Sequence, residues 1–178
     1  METANPQFDV SAALIRCADA AHASAAPGFS FDVVCVDQHG VEKWRDTFHN
    51  LVTTEGKNKL LSTGFDADTQ ITTWYLGLKL TGTPVIADTL ASHASWSEFT
   101  SYTGNRQAIV FGTASAASLA GAELTFAITG SGTVLGAFVC SVATGTSGTL
   151  YSAGDFSGGS KVVAASDSLK VTPTLSFS

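Results

Sequence analysis

Short stretches in which apolar and polar residues alternate occur along most of the chain, and glycine-rich turns separate them. Alternation with a period of two places every second side chain on one face, as in a strand with one buried face. We count seven or eight such strands, of which the clearest are Phe31–Val36, Val41–Phe48, Ile71–Leu80, Leu124–Ile128, Val134–Cys140 and Leu169–Phe177. Their connections are too short for crossover helices, so we expect an all-β fold, an antiparallel β-sandwich of the jelly-roll type.

Three local features predict how individual strands are placed in the fold. In Ile71–Leu80 the apolar residues at every second position, beginning with Trp74, would form a single buried face. Pro173 lies on the apolar phase of the last strand, and because proline has no N–H for a neighbouring strand, this strand is expected at a sheet edge. The glycines of Gly130–Gly132 predict a hairpin turn into the strand Val134–Cys140.

Helical spacing occurs in two segments between these strands. Thr53–Leu61 begins with hydroxyl side chains and has Glu55 in its first turn, and Gly64 is placed to end the helix. In Asp88–Tyr102 the aromatic residues recur at helical spacing, and Asp88 can cap a helical turn. One or two short helices are therefore expected beside the sandwich.

The N-terminal part of the chain has a pattern of its own. Residues 1–28 predict an arm with a short amphipathic helix, Asp9–Ala25, which precedes a sandwich domain of residues 29–178. Arg16 and Asp19 interrupt the apolar core that an export signal needs, so a signal peptide is not expected.

Charge and cysteine content exclude some partners and compartments. The net charge is −6, and the nine basic residues are dispersed along the chain. Nucleic-acid binding needs a clustered basic face, and a membrane-surface helix needs a lysine- and arginine-rich side, so neither partner is expected. Three widely spaced cysteines do not fit the disulfide framework of a small secreted domain. We therefore expect a reduced protein that folds inside a cell, with Cys35 and Cys140 as small buried side chains.

The C-terminal half offers little material for acid–base chemistry. Gln107–Ser178 contains only five charged residues: Glu123, Asp155, Lys161, Asp167 and Lys170. Gly130–Gly136 is similar to a dinucleotide-binding fingerprint, but a strand is expected after it where that fingerprint requires a helix. Gly154–Gly159 is close to the Gly-Asp-Ser-Gly-Gly around the nucleophile of chymotrypsin-like proteases, but Phe156 breaks its register. Both motifs are better explained as a turn and a surface loop.

Other candidate chemistry is equally sparse. A protease triad would need His39 or His49 together with Asp46, and nothing in the sequence brings them to the serine. The histidines show no metal-pair spacing, and no cysteine lies near enough to complete a zinc site. We expect a protein that is not an enzyme and has no catalytic, cofactor-binding or metal-binding residues.

Trp96, Phe99 and Tyr102 admit two interpretations. Aromatic side chains are most often core residues, and these three would then plug an open end of the sandwich. Alternatively, they would contact a partner subunit, as buried aromatic anchors do at interfaces.

Six segments carry sequence motifs not yet considered together: Gly40–Trp44, Thr53–Leu61, Thr73–Leu78, Asp88–Trp96, Gly132–Phe138 and Gly148–Phe156. Taken together, these segments resemble a family of small virion structural proteins of tailed bacteriophages. The resemblance covers roughly Val41 to the C-terminus and is with head decoration, or cement, proteins. None of the segments is a catalytic motif, so the resemblance implies a role and no site.

The resemblance implies a location and partners. The protein would fold in the host cytoplasm and then bind the major capsid protein on the exterior of the virion. A sandwich with few charges offers a contact surface, and an acidic protein suits the outside of a shell that is filled with DNA. Symmetric shells favour symmetric ligands, so a homo-oligomer, a dimer or a trimer, is expected. The N-terminal arm could reach a neighbouring subunit.

Two alternatives stay open at this point. The first keeps the virion but places the protein in the neck or tail, as an adaptor or fibre-base subunit. The second is a carbohydrate-binding jelly roll in which Trp96, Tyr102 or Tyr75 stacks on a sugar ring.

Overall fold

The computed structural model of the protein describes residues 27–177, which form an all-β sandwich with one helix in this part of the chain. The predicted arm helix Asp9–Ala25 lies outside the described residues. In chain order the elements are β1 (Pro27–Val36), β2 (Glu42–His49), β3 (Leu51–Val52), α1 (Thr54–Phe65), β4 (Tyr75–Gly82), β5 (Trp96–Phe99), β6 (Gln107–Ala108), β7 (Ser118–Ala120), β8 (Leu124–Ala127), β9 (Gly132–Val134), β10 (Gly136–Cys140), β11 (Leu150–Asp155), β12 (Lys161–Val163) and β13 (Ser168–Phe177).

Two antiparallel sheets form the sandwich. The first has the strand order β2-β1-β13-β7, and β8 also pairs with β13. The second has the order β3-β11-β10-β4-β5, and β6 also pairs with β4. A separate two-stranded sheet joins β9 and β12. Within residues 27–177 no helix is long and apolar enough to cross a membrane.

The second sheet is buried on both of its faces. Its inner face packs against the first sheet in the main core, which includes Phe31, Phe126 and Leu78. Its outer face carries a second apolar cluster: Leu90, Trp96, Phe138, Cys140, Leu150 and Ala153. All five residues of β10 are therefore buried, because both sides of that strand are covered.

The clearest predictions from alternation are confirmed. The strands β1, β2 and β13 form where the pattern places them, and β1 pairs with both of its neighbours over most of its length. The predicted helix is α1, with Thr53 as its N-cap: its side chain accepts a hydrogen bond from the Gly56 N–H. The helix continues past the predicted stop at Gly64 and ends at Phe65.

The predicted helical turn in Asp88–Tyr102 is wrong, because Trp96–Phe99 is the strand β5. Trp96 packs in the outer cluster, whereas Phe99 packs in the main core. In a strand, residues three positions apart point to opposite faces. Apolar residues at this spacing thus reflect a sheet covered on both sides, and in this segment they imitate a helical period.

The predicted edge position of the last strand is also wrong, since β13 lies inside the first sheet. Strand β8 pairs with β13 as far as Val171, and β7 begins to pair at Thr174. Pro173 lies in the gap between these two pairings. Its carbonyl accepts a hydrogen bond from the Gly121 N–H at 2.8 Å. Its nitrogen is on the same side of the strand and meets no ladder acceptor there, so the missing N–H is tolerated.

Two further strand predictions need correction. Gly130–Gly132 does not form a hairpin turn, because β8 belongs to the first sheet and β10 to the second, so this connection crosses between the sheets. In β4 the apolar face predicted from Leu76 and Leu78 is buried, but Gly77 and Lys79 on the opposite face are buried as well. Gly77 and Lys79 are buried because the second apolar cluster covers the outer face of this sheet.

Candidate functional site

Polar side chains in the interior hold the fold together. Among residues 27–177 the buried polar side chains are Thr53, Lys79, Asp88, Arg106, Ser152 and Asp167. The Asp88 carboxylate, for example, accepts hydrogen bonds from the Trp96 indole N–H at 3.0 Å and from the Val85 N–H at 2.8 Å. Buried polar groups need such partners, since an unpaired one costs about 1–3 kcal/mol. These contacts assign Asp88 a structural role.

The protease-like loop is tied to Asp46. The Ser157 hydroxyl donates to Asp46 Oδ1 at 2.6 Å, and the N–H groups of Ser157 and Gly158 donate to the two carboxylate oxygens at 3.0 Å each. Lys161 Nζ lies 3.2 Å from Oδ2. Burial raises the pKa of the Asp46 carboxyl, but the hydrogen bonds from Ser157, Gly158 and Lys161 outweigh it and hold the pKa below its usual value. This carboxylate anchors the loop, and the hydrogen bonds of Ser157 within residues 27–177 include none to a histidine.

A second charged group surrounds Arg106. Its guanidinium makes a bidentate contact with Glu98, at 3.0 and 2.8 Å, and donates to the carbonyl of Gly145 at 2.9 Å. It also lies over the Phe138 ring, 5.1 Å from the centroid. With these contacts Arg106 fastens the loop after β10 to β5.

Trp96, Phe99 and Tyr102 lie inside the fold, with 5%, 4% and 7% of their surfaces exposed. Burial, and then the neighbouring Glu98 carboxylate, raise the pKa of Tyr102. The side chains therefore pack as core aromatics and present almost no area to another molecule. A contact with a partner through these three residues stays a prediction that their burial does not favour.

The histidines and cysteines do not assemble into a site in the described part of the chain. His39 and His49 are exposed, and the His93 ring stacks on Trp96 with 4.2 Å between the centroids. Residues 27–177 contain no group of histidine, cysteine and carboxylate side chains placed to hold a metal ion. Cys35 and Cys140 are buried thiols, and burial raises the pKa of Cys35 to about 11. The sequence had placed both cysteines in the interior, and that prediction is confirmed.

The outer side of helix α1 is an unusual apolar surface. Phe65 is 89% exposed and Leu61 is 59% exposed, and a spacing of four residues puts both on one side of the helix. We call this pair the α1 patch. The sequence analysis missed this patch because the predicted helix ended before Phe65. The signal that could have found it is the spacing of four residues between Leu61 and Phe65, which places both side chains on one side of a longer helix.

The patch rests on a helix that is firmly attached to the second sheet. The Thr53 hydroxyl donates to the Leu150 carbonyl at 2.6 Å, and Glu55 accepts from the Leu150 N–H at 2.7 Å. Gly56 lies against β11, where an added Cβ would be 2.3 Å from the Tyr151 carbonyl oxygen. The first turn of α1 is therefore fixed, and the helix presents its last turn to solvent.

An apolar cleft opens on the other side of the same helix. It lies between α1, the segment 70–74 and the first sheet, with a volume of about 330 Å³. Its lining includes Phe29, Trp74 and Tyr151. A cleft of this size is at the lower end of the range for small-ligand sites.

Comparison with known proteins adds no relative. No protein-family model matches the chain, and none of the curated proteins is significantly similar to it. The candidate contact surfaces are thus defined by this chain's own residues.

Proposed function

We propose that the protein is a structural component of a tailed-bacteriophage virion, where it binds the exterior of the head as a decoration protein. The observation that supports this most directly is the α1 patch. Neighbouring exposed apolar side chains that include an aromatic ring are typical of contact surfaces, and aromatic anchors contribute most of the binding energy at protein interfaces. Phe65 is such an anchor, on a helix whose first turn is tied to the sheet.

The polar chemistry of the fold is compatible with a binding role. Asp46, Asp88 and Arg106 are each used in contacts that hold a loop or a strand. The net charge of −6 suits a surface that faces away from packaged nucleic acid. A decoration protein needs rigid complementary faces more than reactive groups, since its contribution is the area it buries between shell subunits.

The carbohydrate-binding alternative loses its main support. A sugar-stacking platform needs an aromatic face open to solvent, but Trp96 and Tyr102 are buried, and the partly buried Tyr75 packs against the outer apolar cluster. The neck or tail alternative shares the contact chemistry of the decoration role and differs from it in copy number.

Copy number in purified virions tests the proposal. Quantitative mass spectrometry of the virion should give an amount comparable to that of the major shell protein. A handful of copies per particle would assign the protein to the neck or tail. Absence from the virion would contradict the proposal altogether.

A further inference from the structure

The apolar cleft beside α1 has its walls in neighbouring elements of the sandwich. Phe29, Leu175 and Leu119 are partners in the register of three adjacent strands and form one side of it. Three half-buried apolar side chains continue the lining: Leu60, Ile71 and Trp74. An apolar surface of this shape at the end of a sandwich is costly to leave in water, so an occupant of matching chemistry is expected.

The Tyr151 hydroxyl is a second sign that an occupant belongs near this cleft. Tyr151 lines the cleft and is 3% exposed, and its hydroxyl has no hydrogen-bond partner among the described residues. A buried hydroxyl is destabilising when it has no hydrogen-bond partner. Burial raises the pKa of Tyr151 to about 12, so the group is a proton donor at neutral pH.

The chain itself enters the sandwich at this cleft. Strand β1 begins at Pro27, opposite Phe177 of β13, and Phe29 is two residues farther along. Residues two apart in a strand share a face, so Pro27 lies on the same face as Phe29. Residues 1–26 therefore join the fold at the end of the sandwich where the cleft opens.

The sequence of this N-terminal segment predicts an apolar side that matches the apolar lining of the cleft. Val10, Leu14, Cys17 and Ala21 recur at the spacing of one side of a helix, and polar residues such as Ser11 fall between them. We propose that residues 9–25 dock this apolar side into the cleft of their own chain. A tether of a few residues keeps the segment at a millimolar effective concentration, which favours its own cleft over that of another copy.

Disulfide trapping with the native Cys17 tests this in the full-length protein. Cys35 and Cys140 are completely buried, so Cys17 can pair with a cysteine introduced at the rim of the cleft, by Thr72→Cys or Gly112→Cys, both at exposed positions. Val162→Cys is the matched control: it is 66% exposed on β12, and Trp44, which contacts that strand, pairs near the far end of β1. With oxidised glutathione as the oxidant, we expect a disulfide within one chain for the two rim variants and none for the control. Peptide mapping of the unreduced protein identifies the pair.

Two results would overturn the proposal. One is trapping at Val162→Cys as efficient as at the rim. The other is trapping only between chains, which would assign the cleft to the segment of a second copy.

Alkylation of Cys17 gives an independent readout without an added cysteine. Leu14→Asp places a charge on the apolar side of the segment, and Ser11→Asp places one on the polar side. If the segment is docked, iodoacetamide should label Cys17 at least about tenfold faster in Leu14→Asp than in the unmodified protein. Ser11→Asp should label at the unmodified rate. Equal rates in all three proteins would contradict docking.

Discussion

Lys79 and Asp155 form an ion pair, with 2.5 Å between Nζ and Oδ1, although their strands do not pair with each other. Strand β10 lies between them, and Gly136 is the register partner of both residues. A Cβ at Gly136 would be 1.9 Å from the Gly154 carbonyl oxygen. The glycine therefore allows the backbones of β10 and β11 to pack closely at the position of this ion pair.

This ion pair predicts strong coupling between its two members. The Lys79 side chain has no exposed surface, so Asp155→Asn would leave a buried ammonium with only the carbonyls of Thr81 and Gly82 as partners. Loss of one member of a buried pair costs about 3–5 kcal/mol, and we expect the lower end because 31% of the Asp155 side chain is exposed. The double variant Lys79→Met with Asp155→Asn should recover part of this loss. Urea unfolding of the unmodified protein, Lys79→Met, Asp155→Asn and the double variant measures the coupling.

An exposed pair in the same protein serves as the control. Lys170 Nζ and Glu123 Oε1 are 3.4 Å apart, and their side chains are 41% and 52% exposed. Glu123→Gln should change the free energy of unfolding by about 0–1 kcal/mol. If the effects of the Lys79 and Asp155 substitutions simply add, the buried pair does not stabilise the sheet as proposed.

Two glycines of helix α1 predict opposite outcomes for the same substitution. Alanine in a helix is favoured over glycine by about 1 kcal/mol. At Gly64 an added Cβ meets no atom within 4 Å, so Gly64→Ala should stabilise the protein by about 0.5–1 kcal/mol. At Gly56 the same Cβ would lie 2.3 Å from the Tyr151 carbonyl oxygen, and Gly56→Ala should destabilise by about 2 kcal/mol or more.

Thermal unfolding of both variants gives the comparison directly. Because the residue types and the helix are the same, the sign of the difference reports the contact between α1 and β11. Stabilisation by both substitutions would show that the helix is not held against the strand at this distance.

Asp46 predicts a dependence of stability on pH. The folded pKa of this carboxyl is below its unfolded value of about 3.9, so its stabilising contribution is present above about pH 4. It is lost as the pH falls through the folded pKa, where the carboxylate in the native loop takes up its proton. Asp46→Asn should therefore be less stable than the unmodified protein at pH 7, and the gap should narrow as the pH is lowered.

The matched control for Asp46 is Ser157→Ala, which removes one donor and keeps the carboxylate. It should cost about 1 kcal/mol or somewhat more, since the lost bond is to a charged acceptor, and retain most of the pH dependence. Denaturant titrations between pH 3 and pH 7 would check both variants. A constant gap between Asp46→Asn and the unmodified protein over this range would contradict the proposed anchor.

Patterns in the sequence predicted the strands and the helix that depend mainly on their own residues. Strand β1 alternates cleanly, and Thr53 followed by Glu55 marks the start of α1. The two-residue strands β3 and β6 were missed, because two residues cannot show a period. The spacing of Trp96 and Phe99 led to the wrong prediction of a helical turn, because the sequence does not show that the outer face of the sheet is covered.

The contact sites were harder to predict for a physical reason. Asp46 and Ser157 are 111 residues apart in sequence, and their contact depends on how β2 and the loop after β11 meet in space. The Pro173 position depends in the same way on a gap between two other strands. Such relationships follow from tertiary register, which single-chain periodicity does not encode.

The α1 patch predicts a binding defect without a folding defect. Phe65 and Leu61 are exposed, so replacing either with serine should change the free energy of unfolding by only about 0.5 kcal/mol. If the proposed function is right, Phe65→Ser should weaken binding to purified heads that lack the protein by at least about tenfold, as expected when an interface anchor is lost.

Val162→Ser, at another exposed apolar position, should bind normally. Cosedimentation with the heads measures all three proteins. Unchanged binding of Phe65→Ser would exclude the α1 patch as the contact, whereas failure of the unmodified protein to bind would reject the decoration role itself.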